Sequence, residues 1–585
     1  MFTIIESTPR DNLVQIGLTI VLAVATALVL SGIFKAGARP WQLVTLMALP
    51  VALVFLNDGY RDSQWHGFMH ASITYEIADG RWPLEDPLLA GQLLHYPYGH
   101  HFMIAMAMRF LPLTPQAGFA WTNVLAIIVT TVILYRLAAV ICPRPVFCAM
   151  AVVLGMAAGP LVTGPVAGLI SRLGGPRETR HMPYVEFLNI QSNQLGLLFS
   201  LLMLLGLAYI VSENPQRRRG LTYLVIGLLG AGFLYPLDWL PAVLSIGCSS
   251  LILLIGWRTG RRAAWLAIAV LIPTAAAAAP FMHLIGSGRA AESNLRVIPA
   301  MQHLVQHVII LALALVPPVL VIATRRAALA EAFRATPRVA AVLLTWITVP
   351  AIMYVMLFFP LGPEYKFLAL AMLPLGQLTA LAVESWHRAR PLLGLALVTL
   401  WLISPAWVFA TILRTGWPVL DNTWADGTIL RHRDPAEDQL YRWIGRHTPL
   451  DSVFLDTYLT IPALAHRMLF VGLDTRRKMS PPEETTLIPV VSDGWTLTAD
   501  EILGPVMGEH RELVDRRRAI AETFFSTSTD LPDVQTLRHV LDEVNGRPVY
   551  VVARNPAVAA RLHRVTSLKR EYETSSVTVF RISQQ

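Results

Sequence analysis

The chain has 585 residues, of which 54% are hydrophobic and only 15% charged, and its mean hydropathy is +0.51. That is too apolar for a soluble protein of this size and predicts an integral membrane protein. The net charge of +8 does not point to nucleic acid: residues 1–413 hold 26 Lys+Arg against 16 Asp+Glu, residues 414–585 hold 21 against 23, and no patch mixes basic and aromatic residues in the way nucleic-acid binding needs.

Taken in order, the apolar runs predict about twelve spans: 13–33, 41–56, 116–141, 145–158, 194–211, 220–235, 239–257, 263–284, 302–323, 340–358, 367–385 and 392–413. A helix needs about 20 residues to cross the hydrocarbon core. The first run lacks a small-residue cleavage site and reads as an anchor, not a signal peptide. Phe102 to Leu111, bounded by Pro112 and Pro115, is too short to cross and reads as a helix lying at the interface. The three cysteines, Cys142, Cys148 and Cys248, lie in or beside apolar segments, so neither a disulfide framework nor a Cys-based zinc site is expected.

Short loops rich in Lys and Arg stay in the cytoplasm. Lys35 with Arg39, Arg136 with Arg144, Arg217 to Arg219, Arg258 to Arg262, Arg325 to Arg338, and Arg388 with Arg390 fall in alternate loops. The opposite loops, 57–101, 159–193, 236–238, 286–300 and 359–366, carry 11 of the 16 acidic residues of the first 413. The acidic chemistry is therefore expected outside, and the same count places the amino terminus outside. After Arg414 the composition turns polar, with a helix-like stretch at 434–447 and strand-like stretches at 452–457, 467–473, 548–554 and 576–582. The predicted architecture is a polytopic α-helical membrane domain over 1–413 followed by an extracytoplasmic α/β domain over 414–585.

The loop 57–101 is the only long polar insertion in the first quarter of the chain. If the segment after Asn57 is helical, Asp58, Asp62, His66 and His70 stand four apart and share one face. Such a face also serves as a solvated surface at the membrane, with the carboxylates capping the helix. Ionisable groups are costly beside lipid, however, and two chemistries fit. A carboxylate could act as general base toward a hydroxyl, or Asp62, His66 and His70 could bind a divalent metal, Mg or Mn, through oxygen and imidazole ligands. At the far end of the loop stand Tyr96, Tyr98, His100 and His101. The second outer loop contributes Glu186 just before a span. Lys366, one of two lysines in the first 413 residues, stands at the outer end of another; it either snorkels or stabilises a lipid phosphate as charge develops. Arg289 and Arg296 are further outward cations.

These features together resemble the GT-C superfamily of membrane glycosyltransferases. The likeness rests on an acidic motif opening the first large outer loop (Asp58, Asp62), a helix ending near Gly80-Arg81-Trp82-Pro83, and Tyr96-Pro97-Tyr98-Gly99 leading into a short interfacial helix. Tyr365-Lys366-Phe367 with Pro374 is similar to the family's basic-aromatic start of a late span, and YRWIGRHTPLDSVFL with IPALAHRMLFVG looks like the outer domain of bacterial members. The chain departs in having Asp58-Gly59 and Asp62-Ser63 where the family often has adjacent Asp-Glu. The resemblance implies inverting transfer of a sugar from a polyprenyl-phosphate donor to a glycan, lipid or protein acceptor at the outer face of the cytoplasmic membrane. It implies Asp62 as base with Asp58 as the alternative, assistance from Glu186, donor phosphate on Lys366, Arg289 and Arg296, and a substrate loop of Tyr96, Tyr98, His100 and His101. A transporter or flippase of a lipid-linked glycan is the rival reading. Transporters place ionisable groups near the bilayer midplane, whereas here they concentrate in loops.

Overall fold

The computed structural model describes residues 9–56, 61, 65–94, 96–158, 183–188, 190, 192–212, 216–286, 296–297, 301–358, 365–415, 435–456, 461–471, 511–525 and 531–583. The chain opens with α1 (Pro9–Lys35), α2 (Pro40–Phe55), α3 (Trp65–Ala78), the strands β1 (Glu85–Asp86) and β2 (Leu89–Leu93), and α4 (Gly99–Met108). It continues through α5 (Pro115–Ile141), α6 (Pro145–Ala157), the one-turn α7 (Pro183–Glu186), α8 (Asn193–Val211), α9 (Arg217–Leu234), α10 (Pro236–Gly256) and α11 (Arg261–Gly286). After β3 (Arg296–Val297) come α12 (Met301–Thr324), α13 (Arg326–Ala335), α14 (Pro337–Met356), β4 (Leu357–Phe358), α15 (Tyr365–Ala389) and α16 (Pro391–Thr415).

Each predicted span coincides with one helix. Nine of the described helices are long and apolar enough to cross a membrane, and α2 and α6 are shorter apolar helices. Pro40, Pro115, Pro145, Pro236, Pro337 and Pro391 each stand at a helix start, where the missing N–H costs nothing and the fixed φ suits the first turn. Pro236 also corrects a boundary: 236–238, expected as a loop, is the first turn of α10, joined to α9 through Tyr235 alone. The short helix expected over 102–111 is α4, which begins and ends three residues earlier and buries His100, His101 and Ile104 while Phe102, Met103 and Met106 stay exposed.

Three of the described helices lie deep in the bundle, α6 among them with Phe147 through Ala157 buried. The apolar stretch of α15 is wholly buried and that of α8 nearly so. Close approach of α15 to α6 needs glycine on both, since a Cβ on Gly376 would collide with the backbone of Gly155.

The C-terminal part of the chain folds around a five-stranded sheet. Its elements are α17 (Pro435–His447), β5 (Val453–Leu455), α18 (Ile461–Ala465), β6 (Met468–Leu469), α19 (Arg511–Phe525), α20 (Val534–Glu543), β7 (Val549–Ala553), α21 (Pro556–Leu562), β8 (Leu568–Glu573) and β9 (Thr578–Ile582). The strand order is β6-β5-β7-β9-β8, with β5 parallel to β6 and β7, and β9 antiparallel to β7 and β8.

The first loop is built into this domain. β1 and β2 form a small antiparallel hairpin; Ala71, Leu88, Leu89 and Ala90 join the hydrophobic core of the sheet. Leu469 N–H at the edge strand β6 donates to Pro87 O at 2.9 Å, so the hairpin covers a sheet edge that would otherwise be open. Arg547 forks onto Glu85 at 2.6 and 2.8 Å. Buried Arg517 donates to Ala90 O at 2.7 Å, Phe470 O at 2.9 Å and the Glu543 carboxylate at 2.8 Å. Arg81 closes the other side, reaching Glu76 at 2.5 Å and His466 O at 2.6 Å, while the rings of Tyr75 and His466 stack.

Two carboxyls in this junction are tuned by burial. Asp86 Oδ1 accepts from Leu88 N–H at 2.8 Å and Oδ2 meets no partner among the described residues; burial outweighs that bond and raises its pKa to about 7. Glu76 is likewise pushed up to about 7 by burial, against the opposing pull of Arg81. Because the folded-state values lie above the unfolded ones, the folded chain binds extra protons between about pH 4 and 7. The contribution of these two groups to stability is then greatest in acid and declines as pH rises through that window, flattening above pH 7. Asp86→Asn keeps an acceptor for Leu88 and cannot ionise. It should therefore be more stable than the parent at pH 8, by up to roughly 4 kcal/mol for a shift of this size, with little difference near pH 4. Thermal unfolding of both proteins in detergent at pH 4.5 and 8 measures this; an equal decline in the two would refute the assignment.

Candidate active site

At the end of the bundle that carries the first loop, the opening turn of α8 joins four neighbouring elements. Ser192 Oγ meets His100 Nδ1 of α4 at 3.0 Å. Asn193 Nδ2 donates to Glu186 Oε2 of α7 at 2.7 Å. Gln194 hydrogen-bonds Asn123 of α5. One turn on, Gly196 lies against α10: a Cβ there would run into the Asp238 carboxylate and the Tyr235 ring. All of Ser192, Asn193, Gln194, Glu186, Asn123 and Asp238 are buried.

Lys366, in the first turn of α15, completes the group. Its ammonium hydrogen-bonds the Tyr235 hydroxyl and lies 5.0 Å from the centre of that ring. Lys366 and Glu186 both act electrostatically on Asp238. Neither Asp238 oxygen meets a hydrogen-bond partner among the described residues, and Asn193 Oδ1 is in the same position. A buried carboxylate is costly to leave unpaired. Placed beside a lysine and a second carboxylate, it marks a place built to receive polar atoms.

The loop helices sit beside this group through histidines. His70 Nδ1 of α3 and His101 Nε2 of α4 share a 2.8 Å hydrogen bond, and His70, His100 and His101 all pack around Phe119. Burial pushes the His100 imidazole well below the usual range and His101 down to about 3, so both are neutral and serve as hydrogen-bonding groups. Gly99 explains how α4 reaches its place, because a Cβ there would collide with the Phe233 carbonyl at the end of α9. Tyr96 packs edge-on to His101 and Tyr98 edge-on to Trp82.

Of the residues expected from sequence, the structure thus brings together Glu186, Lys366, His70, His100 and His101, with Tyr96 and Tyr98 alongside. Asp58, Asp62 and Arg289 lie outside the described residues. Arg296 is placed by its backbone in β3, which pairs with β4, and its side chain lies outside the description, as does that of His66 on α3. Among the described residues no group of three or more His, Cys, Asp and Glu is arranged to hold a metal ion. Of the expected metal set of Asp62, His66 and His70, only the His70 side chain is described, and its Nδ1 faces His101.

Sequence reasoning passed over Ser192, Gln194, Gly196, Asn123 and Tyr235, and treated Asp238 as a loop-edge acid. The signal that could have found them is the uncharged polar run Ser192-Asn193-Gln194 at the head of an otherwise apolar span.

With helices long and apolar enough to span a bilayer, the chain is a multi-pass membrane protein, and its fold is the GT-C fold. It is similar over 92% of its length to 97% of the crystal structure of ArnT from Cupriavidus metallidurans bound to undecaprenyl phosphate, at 13% identity and a TM-score of 0.53. The arabinofuranosyltransferase AftD from Mycobacteria is similar over 93% of this chain and 40% of its own, at 14% identity and a TM-score of 0.52. At these identities the likeness is one of fold. No protein-family model and no curated protein matches the sequence.

The contact at Gly196 gives a direct check on this packing. Gly196→Ala should destabilise the chain by about 1–3 kcal/mol through overpacking. Gly247→Ala on α10, where a Cβ meets open space, should be neutral or slightly stabilising. Thermal midpoints measured in one detergent compare them, and equal effects would mean that α8 does not approach Asp238 and Tyr235 this closely.

Proposed function

We propose that the protein is an inverting glycosyltransferase that moves a sugar from a polyprenyl-phosphate donor to an acceptor at the outer face of the cytoplasmic membrane. The observation that carries this reading is the Lys366–Tyr235–Asp238–Glu186 group at the loop end of a GT-C fold. A half-buried cation, Lys366, stands there beside carboxylates. ArnT, solved with undecaprenyl phosphate, supports the choice of lipid class.

In this reading the acceptor hydroxyl oxygen attacks the anomeric carbon while Asp62, or Asp58 in its place, takes the hydroxyl proton. The bond from the anomeric carbon to the phosphate oxygen breaks with its electron pair, and polyprenyl phosphate leaves. Lys366, with Arg289 and Arg296 from the neighbouring loop, stabilises the charge that develops on the phosphate. Glu186, held by Asn193, assists the base. Tyr96, Tyr98, His100 and His101 shape the substrate side of the loop. The C-terminal domain, on the same outer side, contributes to acceptor recognition. Binding of Mg or Mn by Asp62, His66 and His70 is the alternative use of that face.

Transport of a lipid-linked glycan is the second reading. The described ionisable groups speak against it, because Asp238 and Lys366 occupy first turns of their helices instead of the midplane positions transporters use.

Purified protein in lipid supplied with labelled polyprenyl-phosphate sugars should consume at least one of them. Asp62→Asn should lower the rate by about 10²–10⁴-fold with donor binding retained, and Lys366→Met should raise the donor KM by about tenfold or more. Full activity in Asp62→Asn shifts the role to Asp58. No consumption, with a labelled lipid-linked glycan changing leaflets instead, establishes the transporter.

A further inference from the structure

A cavity of about 210 Å³ lies between α1, α2, α6 and α16, with Tyr184 of α7 in its wall. Met47, Met156, Tyr184 and Phe409 form much of its wall, and exposed Leu413 stands at its margin. Two of its lining residues, Pro50 and Pro405, are prolines inside α2 and α16. Internal prolines kink helices, and here two of them face one space.

The lining is apolar except for two hydroxyls, and both are satisfied within the protein. Thr26 Oγ1 donates to Leu22 O at 2.8 Å and Tyr184 Oη donates to Met47 O at 3.0 Å. Water therefore has no partners to find inside. An engineered apolar cavity of about 150 Å³ stays dry and takes up benzene, and this one is larger and lies among helices surrounded by lipid.

We propose that the cavity binds an acyl chain of a bilayer phospholipid, and that the bound chain forms the floor under α7 and so supports Glu186. Tyr184, two residues before Glu186, is both a cavity wall and a neighbour of the Phe409 ring, 5.8 Å between centres. A prenyl tail of the sugar donor fits less well. No Lys or Arg lines the cavity, whereas Lys366, the cation beside Glu186 and Asp238, is turned toward Tyr235 on α10. A phospholipid leaves its headgroup at the interface and needs no cation here.

Native mass spectrometry of protein purified in mild detergent tests the site without reference to any reaction. The parent should retain one phospholipid per chain. Ala406→Phe and, as a second way of filling the space, Ala157→Leu should lose it, and excess polyprenyl phosphate should not displace it from the parent. In hydrogen exchange, the 183–188 segment of the parent should exchange at least severalfold faster after delipidation and recover with added phospholipid, while the filled variants stay slow throughout. Equal phospholipid retention in parent and both filled variants would overturn the proposal. So would displacement by polyprenyl phosphate, which would give the cavity to the donor tail, or exchange at 183–188 that ignores lipid. Because binding is read by mass, failure of the glycosyltransferase reading would leave this result intact.

Discussion

The opening turn of α8 is the constraint on which the site depends. Four side-chain positions in five residues each face a different element, and none of them carries a charge. In a hydrocarbon setting, polar groups of this kind are satisfied by one another or by a ligand, so Ser192, Asn193 and Gln194 hold α4, α7 and α5 in place through their hydrogen bonds. Gly196 works by absence, letting Asp238 and Tyr235 approach where any side chain would bar them. Since α8 and α15 are among the deeply buried helices, the groups at their loop ends are held by the whole bundle. On the proposed reading, that is the preorganisation electrostatic catalysis requires.

A second level of order comes from outside the bundle. The hairpin of the first loop fills one edge of the C-terminal sheet, and three arginines tie it there: Arg81, Arg517 and Arg547. The helix α3, which leads back toward Asp62, is therefore gripped at its far end by the C-terminal domain and along its length by His70 and His101. Buried Arg517 is the most demanding member, since its charge is offset by Glu543 and its remaining donors by backbone carbonyls.

Much of the fold was legible because lipid is an exacting solvent. Each predicted span is a helix, for the hydrocarbon thickness permits little else, and prolines delimited the short helix α4. Strands β5, β6, β7 and β9 were visible as β-branched and aromatic runs. Strand β8, LKREYE, was not, because it is an edge strand with mostly exposed polar side chains. In the site, charge made Glu186 and Lys366 conspicuous, and crowding did the same for the histidines. The uncharged members were illegible: Gly196 is an ordinary residue of an apolar run until α10 is laid against it, and Tyr235 is a helix end until Lys366 reaches its hydroxyl. Nothing local in the sequence encodes that the hairpin at 85–93 completes the core of a domain that begins after residue 413.

That last feature has a consequence for biogenesis. Glu85 and Arg547 are 462 residues apart, and at about 5–20 residues per second a ribosome takes roughly 20 to 90 s to travel between them. Throughout that interval Leu88, Leu89 and Ala90 of the nascent hairpin lack the sheet core they will join, and Glu85 lacks Arg547. The earliest large loop of the chain can be finished only by nearly the last strands to be made, which makes this loop the natural client of whatever guards unfinished segments at the membrane surface.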